Sequence, residues 1–374
     1  MQRKPKILHV MYSGLGGHGN VFFSMVDADE ESYGDYSAVF MGIEPVKEEY
    51  VFKCKERNIP FEAVQKKPGI SPGALYSVYK AIKKHRPDIL FLHTPTNIIP
   101  AICYRFRTLF RVKIFVRETQ PNHLKTKKEW FGLYLAMIFS NRIFFLSEQF
   151  RDDVKKRLGI FFRRKKSRVI PNGIDLGVFQ PDTEVDFENG PLLFGMQGRL
   201  YKTKDHLTLL RAFALLKDKP YYKRLELRLA GDGVMREELK QEASKLDIAE
   251  KVKFLGMLKE HELSRFLQQL GFYIHASAGE TMSTAIMQVM ACRLPIIASN
   301  VKGINNMVFD RQNGLLVPVH DPIAMAEAVD ELYHDRTLRT ALASRGFEYA
   351  QQYFSNRRMW NDYRKEFEHY QAAK

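Results

Sequence analysis

Short, almost uninterrupted apolar runs recur along the chain, each followed by a stretch with helical periodicity, and the series begins twice. Residues 6–13, 37–41, 89–92, 113–116 and 142–146 read as strands, with an amphipathic helix at 77–84 among the intervening segments. A strand that is apolar on both faces must be covered on both faces. Parallel sheets flanked by helical crossovers do this routinely, so the alternation predicts parallel βαβ units and α/β architecture. The turn signal Pro171-Asn172-Gly173 and a polar, acidic stretch at 180–191 then interrupt the series. It restarts with strands at 192–196, 225–230, 253–255, 272–275 and 295–298, and with helices starting at Asp205, Val234 and Glu260 and another ending at Met290. A length of 374 residues suits two domains, each with its own core. We expect domains at 1–180 and 181–355, with a final amphipathic helix at about 356–374. Doubly wound sheets bind ligands outside the carboxyl ends of their strands, so the loops after the strands are where chemistry is expected.

Composition narrows the classes of partner. Apolar residues make up 45% and charged residues 27%, as in a folded protein. Cys54, Cys103 and Cys292 lack metal-ligand spacing and read as incidental thiols in a reducing compartment. The first apolar run is too short for a signal peptide, and nothing approaches the ~18 apolar residues of a membrane span, so a cytoplasmic protein is expected. The net charge of +15 and pI near 9.5 call for an anionic partner. No zinc spacing or aromatic-interleaved basic repeat supports nucleic acid. The basic clusters at Lys125, Lys127, Lys128, at Lys155, Lys156, Arg157 and at 163–168 flank or follow the apolar segment 130–139. That segment suits either a helix at an anionic membrane surface or a buried helix with solvated charges at its ends.

Two places concentrate polar groups at strand ends. After the strand ending at His275 come a small-residue loop, Glu280, and a helical stretch carrying Gln288 eight positions later. On one helix this pair would lie about 12 Å apart and less than a quarter turn out of line. The helix N-terminus between them offers N–H groups and a positive dipole end to phosphate. Arg199 and Lys204 follow the strand 192–196 and could neutralise a departing diphosphate without a metal. His93 ends another strand. The Asp27-Ala28-Asp29 triplet imitates a metal-binding pair but falls in an acidic loop, so no metal site is expected. Gly14, Gly16 and Gly19 fit a dinucleotide-binding loop, with Glu44 as the acid after the second strand, which leaves a nicotinamide oxidoreductase as a remote alternative.

The segment from His275 through Glu280 to Gln288 resembles the Glu-x7-Glu signature of retaining glycosyltransferases of family 4, with glutamine in place of the second acid. Other landmarks of that family stand in the same order. They are Gly16-Gly17; Val169-Ile170-Pro171-Asn172-Gly173-Ile174-Asp175 with Phe179; Gly198-Arg199-Leu200 with Lys204; Leu229-Ala230-Gly231-Asp232-Gly233; Phe254-Leu255-Gly256; and Asn313-Gly314-Leu315-Leu316-Val317. The resemblance implies the GT-B fold, two Rossmann-like domains facing a cleft, with the terminal helix returning to the N-terminal domain. It implies sugar transfer from a nucleotide diphosphate sugar, UDP-linked by preference, to a glycan or lipid-linked acceptor, with retention and without a metal or other cofactor. In that scheme Arg199 and Lys204 hold the diphosphate, Glu280 orients the sugar, and Gln288 holds the ribose. Gly16, Gly17, Gly231, Gly233, Leu255, Thr281, Met282 and Ser283 line the donor site. His93, Arg117 and Glu118 are the acceptor-side candidates, and His93 is also a catalytic candidate. Many relatives carry a histidine near the reacting sugar, in the loop that here reads Val116-Arg117-Glu118-Thr119. The glutamine and that missing histidine leave open a non-catalytic subunit that binds a glycan or partner.

Overall fold

The computed structural model describes all residues except 1, 2, 15, 16, 70, 183–186, 188, 189 and 372–374. Its contacts divide the chain into two compact units, Met1–Gly173 with Asn356–Lys374, and Ile174–Ser355. The division falls earlier than the 180/181 boundary expected from sequence. Ile174 bridges to Ser355, and its N–H donates to Phe354 O at 2.8 Å. Phe179 is buried in the second unit's core. Much of the polar stretch expected to mark the boundary lies outside the described residues.

The first unit is a seven-stranded parallel sheet. Its strands are β1 (Lys6–Tyr12), β2 (Asp35–Gly42), β3 (Phe61–Gln65), β4 (Ile89–Leu92), β5 (Lys113–Glu118), β6 (Arg142–Phe145) and β7 (Ser167–Val169), in the order β3-β2-β1-β4-β5-β6-β7. Its helices are α1 (Gly17–Asp27), α2 (Glu48–Glu56), α3 (Pro72–His85), α4 (Ile98–Arg107), α5 (Lys127–Phe139) and α6 (Glu148–Leu158). The C-terminal helix, Asn356–Gln371, belongs to this unit. It buries Met359, Trp360, Tyr363 and Phe367 on one face, against Phe91, Phe115 and Phe144 of the sheet. Each such side chain contributes about 1.5–3 kcal/mol by leaving water. Glu366 beside them accepts from Arg142 at 2.6 Å and Arg168 at 2.8 Å.

The second unit repeats the plan with six parallel strands. They are β8 (Leu192–Gln197), β9 (Leu225–Ala230), β10 (Val252–Gly256), β11 (Phe272–His275), β12 (Ile296–Ser299) and β13 (Leu315–Val317), in the order β10-β9-β8-β11-β12-β13. Its helices are α7 (His206–Ala214), α8 (Arg236–Lys245), α9 (Glu260–Gln268), α10 (Thr284–Ala291), α11 (Pro322–His334) and α12 (Arg336–Tyr353). In both sheets the chain winds outward from a central strand and then reverses. The reversal lies between β1 and β4 in one unit and between β8 and β11 in the other. There the loops diverge and leave a crevice at the strands' carboxyl ends.

Candidate active site

At the β8/β11 switch point the two loops are tied together by backbone. Ala278 N–H and the Ser277 hydroxyl both donate to Thr203 O at 3.0 Å. The neighbouring loop after β9 packs main chain against main chain. Leu200 N–H donates to Asp232 O at 3.0 Å, and Gly198 N–H to Ala230 O at 2.9 Å. A Cβ on Gly231 would lie 2.0 Å from Gly198 O, and φ there is +133°, so only glycine fits. The same closeness holds at Gly233, whose Cβ would stand 2.5 Å from Leu200 O. Both glycines therefore shape the Arg199 loop.

That loop brings Lys204 and Glu280 into an ion pair, both side chains more than four-fifths buried. One ring nitrogen of His275 faces this pair and the Ser283 hydroxyl, lying 3.4 Å from Lys204 Nζ, 3.2 Å from Glu280 Oε1 and 3.3 Å from Ser283 Oγ. The other lies 3.3 Å from the Tyr273 hydroxyl, which in turn accepts from Gln197 N–H at 3.2 Å. Burial, then Lys204 and His206, hold His275 well below the usual histidine range, so it is neutral. Burial and the Arg199 guanidinium pull Lys204 down to about 7, while the Glu280 carboxylate favours its charged form. Arg199 itself is exposed and lies over the Tyr201 ring. The result is an ion-paired ammonium linked through His275 to Ser283, the cap of α10.

Several sequence expectations change here. Helix α10 starts at Thr284, with Ser283 as its cap, so Glu280 lies in the loop and not on one helix with Gln288. The Ser283 hydroxyl is engaged by Ile286 N–H and His275 and caps α10. Gln288 is bonded to a residue that the sequence did not single out. Its Oε1 accepts from Gln197 Nε2 at 2.8 Å, and Gln197 Nε2 also donates to Ala285 O at 3.4 Å. Thr281 and Met282 are partly exposed in the loop, and Leu255 is exposed at the end of β10. Gly303, unnoticed in the sequence, has φ +87°, and its Cβ would meet Glu280 O at 2.3 Å, so it sets where the Glu280 backbone can lie.

The β1/β4 switch point of the first unit holds a second cluster. Arg117 is buried and donates to His93 Nδ1 at 3.2 Å and to Asn172 Oδ1. A guanidinium cannot accept, so His93 carries its proton on Nε2 and donates to His9 Nδ1 at 3.0 Å. His18 sits above, with Nε2 2.9 Å from the Thr119 hydroxyl. Burial, and next the Arg117 charge, lower His9 to about 3 and His18 to about 4. His93, a catalytic candidate from the sequence, is fully buried with both ring nitrogens engaged by His9 and Arg117. Glu118 is buried in an ion pair with Lys125 at 3.4 Å, and burial raises its pKa. His18, in the first turn of α1, is half-buried. Gly17 opens α1, and Gly16 lies outside the described residues. Asp27 pairs with Arg57, and Asp29 accepts from Tyr33 N–H, Gly34 N–H and the Tyr36 hydroxyl, so both have structural work.

A profile described as "Glycosyl transferases group 1" matches residues 182–349, and one described as "Glycosyltransferase Family 4" matches residues 16–178. The sequence is 24% identical over 280 residues to the UDP-Gal:alpha-D-GlcNAc-diphosphoundecaprenol alpha-1,3-galactosyltransferase of Escherichia coli, covering 71% of each chain. It is 25% identical over 325 residues to the alpha-monoglucosyldiacylglycerol synthase of Streptococcus pneumoniae, covering 80% of this chain and 68% of that one. In fold it resembles Anabaena HepE, solved with UDP and glucose, at TM-score 0.81 and 18% identity over 97% of this chain and 99% of that one. The sucrose-phosphate synthase of Thermosynechococcus elongatus also scores 0.81, at 17% identity over 99% and 100% of the two chains. The chain belongs to the group 1, family 4 glycosyltransferases of GT-B fold. The nicotinamide reading is set aside accordingly.

Proposed function

We propose that the chain moves a sugar from a UDP-sugar to a glycan or lipid-linked acceptor, with retention at the anomeric carbon and without a metal. The work would lie in cell-surface polysaccharide or glycoconjugate synthesis at the cytoplasmic side of the membrane. The observation that carries this is the paired Lys204 and Glu280 beside Arg199 and the α10 N-terminus, at the switch point of the second unit. Arg199 and Lys204 neutralise the charge that grows on the departing diphosphate, and Glu280 positions the transferred sugar. No free carboxylate among the described residues of this loop is offered as a nucleophile. The acceptor hydroxyl then attacks the anomeric carbon on the face that the phosphate leaves. The carbon–phosphate-oxygen bond breaks, the new carbon–oxygen bond forms, and the hydroxyl proton passes to the departing phosphate oxygen. The E. coli and S. pneumoniae relatives, whose names specify diphosphoundecaprenol-linked and diacylglycerol-linked sugars, support a lipid-linked acceptor.

Thermal shift with UDP, GDP, ADP, dTDP and NADH tests the donor. UDP alone among them should stabilise the protein, by about 2.7 kcal/mol at a hundredfold excess over Kd, and Arg199→Ala should abolish the shift. A shift with NADH and none with a nucleoside diphosphate would overturn the reading.

Gln288 gives a second expected result. Ala285 O requires the nitrogen of Gln197 to face it, which leaves Gln288 presenting its oxygen to Gln197 and its NH2 group elsewhere. A ribose would therefore meet mainly a donor, where a carboxylate would accept from both hydroxyls. Hydrogen bonds to charged groups are stronger by about 1–1.5 kcal/mol, so Gln288→Glu should tighten UDP binding by about tenfold. It should also widen the preference for UDP over 2′-deoxy-UDP. Calorimetry on both nucleotides measures this, and unchanged binding would mean that the ribose lies elsewhere.

A further inference from the structure

The first unit carries an exposed apolar ridge set among lysines and arginines. Helix α5 packs Leu133, Ala136 and Met137 inward and sits close on the turn at Pro95, where a Cβ on Gly132 would lie 3.2 Å from Pro95 O. Its opposite face turns Phe131 and Ile138 outward, with Tyr134 between them. Residues three and four apart share a helix face, so these three form one stripe. The short turn after α6, Gly159–Phe161, extends it. Phe161 packs edge-on against Tyr134 at 5.0 Å, and Ile160 is 86% exposed. Isolated exposed apolar residues need no explanation, but a continuous stripe does.

Its surroundings identify the occupant. Lys127 and Lys128 open α5, Lys155 and Lys156 close α6, and Arg163 and Arg164 follow the turn; all six are exposed. Lys166, in the same segment, donates to Ile138 O at 2.7 Å, which fixes the basic segment against the end of the apolar stripe. Trp130, from the same helix, is covered by the Lys125 and Arg157 cations and is not part of the exposed stripe. No helix of the described residues is long and apolar enough to cross a membrane. An apolar ridge between cationic banks fits the boundary between lipid headgroups and acyl chains, with the cations level with the phosphates.

We infer that the α5 face and the Gly159–Phe161 turn form a docking surface for an anionic lipid bilayer, inserted through Phe131, Ile138, Ile160 and Phe161. The inference gives a location to the lipid-linked acceptor proposed above and rests on it only for its purpose. An acceptor anchored in lipid would be met by a unit already held at the same surface.

Flotation with phosphatidylcholine vesicles, with and without phosphatidylglycerol, tests it. The full chain should float with the anionic vesicles, far less with the neutral ones, and should be released as salt shrinks the Debye length from about 10 Å at 0.1 M to about 3 Å at 1 M. The double variant Ile160→Ser, Phe161→Ser should weaken partition by about tenfold for each side chain. Lys127→Glu with Lys128→Glu should cost about fivefold for each lost cation, and more for the reversal. These substitutions lie on the surface, and the UDP thermal shift should be unchanged in both variants. Flotation that ignores phosphatidylglycerol, or persists in both variants, overturns the inference. So does a concentration-dependent dimer in sedimentation that the Ile160/Phe161 variant abolishes, which would assign the face to a second copy. So would competition by single-stranded RNA that leaves no vesicle binding. A UDP shift that survives any of these outcomes leaves the donor reading standing.

Discussion

Lys204→Ala will lower sugar transfer by about 10²–10³, the usual cost of removing one charge-stabilising donor from a site that excludes water, while the fold survives. The loss should appear in kcat more than in KM, because the ammonium is needed most when the diphosphate charge is fully developed. The pH dependence separates this role from packing. Lys204 loses its proton at about 7 in the unliganded protein, and only the ammonium form binds diphosphate well. UDP affinity should therefore fall by up to tenfold for each pH unit above about 7, and binding should take up a proton below the alkaline limit. Lys204→Arg keeps its charge throughout and should flatten that profile even if it lowers the rate. Calorimetry in buffers of differing ionisation enthalpy reads the proton directly. A profile equally steep in Lys204→Arg would place the titrating group elsewhere. Alanine at 204 also leaves Glu280 without its cation, so a Glu280→Gln, Lys204→Ala double variant should be no worse than the single one, since residues acting as one unit are not additive.

The architecture was legible because its signal is long-range and redundant. Strands buried on both faces read as apolar runs, and the helices between them have their own period, so doubly wound sheets follow from pattern alone. The strands missed were at or near the edges. Phe61–Gln65 has its apolar residues broken by Glu62 and ended by Gln65, and Ser167–Val169 and Leu315–Val317 are three residues each, below the length at which a run stands out. In the site, Arg199, Lys204 and Glu280 could be named because they stand in loops after strands, within motifs that resemble those of family 4. Tyr273, His275 and Gln197 could not. Each lies inside or at the end of a strand, where a polar residue usually completes a core hydrogen bond, and each acquires its meaning from a partner on another strand or loop. The same holds for His9, whose partner His93 follows β4 and is itself held by Arg117 of β5. Sequence spacing carries period and motif, whereas the partners across the switch point are set by strand order. Gln288 shows the limit most plainly. Its position was readable, but not that Gln197 fixes which end of its amide faces outward.

The first unit should unfold in acid between about pH 5 and pH 4, well before its carboxylates alone would demand it. His9, His18 and His93 are all held neutral in the folded state, at about 3, about 4 and well below the usual range; burial comes first for each, followed by the Arg117 charge for His9 and His18 and by His9, then Arg117, for His93. In the unfolded chain each takes up a proton near pH 6.5. Below that pH the unfolded state binds more protons than the folded one, so stability falls as pH falls, by about 1.4 kcal/mol per pH unit for each histidine until its folded pKa is reached. Three together remove about 4 kcal/mol per unit, against a total of about 5–15 kcal/mol for a domain. The second unit carries two such groups, His206 at about 4 and His275 well below the usual range, and should follow at lower pH. The two transitions can be told apart because both tryptophans, Trp130 and Trp360, belong to the first unit. Tryptophan fluorescence should therefore change at higher pH than the far-ultraviolet dichroism of the whole chain. His9→Phe, in a site already lined by Phe22 and Phe91 at 4.7 and 4.9 Å, removes one of the three groups and should move the fluorescence midpoint toward acid. A midpoint that stays put in His9→Phe, or fluorescence unchanged down to pH 4, would mean that the buried histidines take up protons without unfolding.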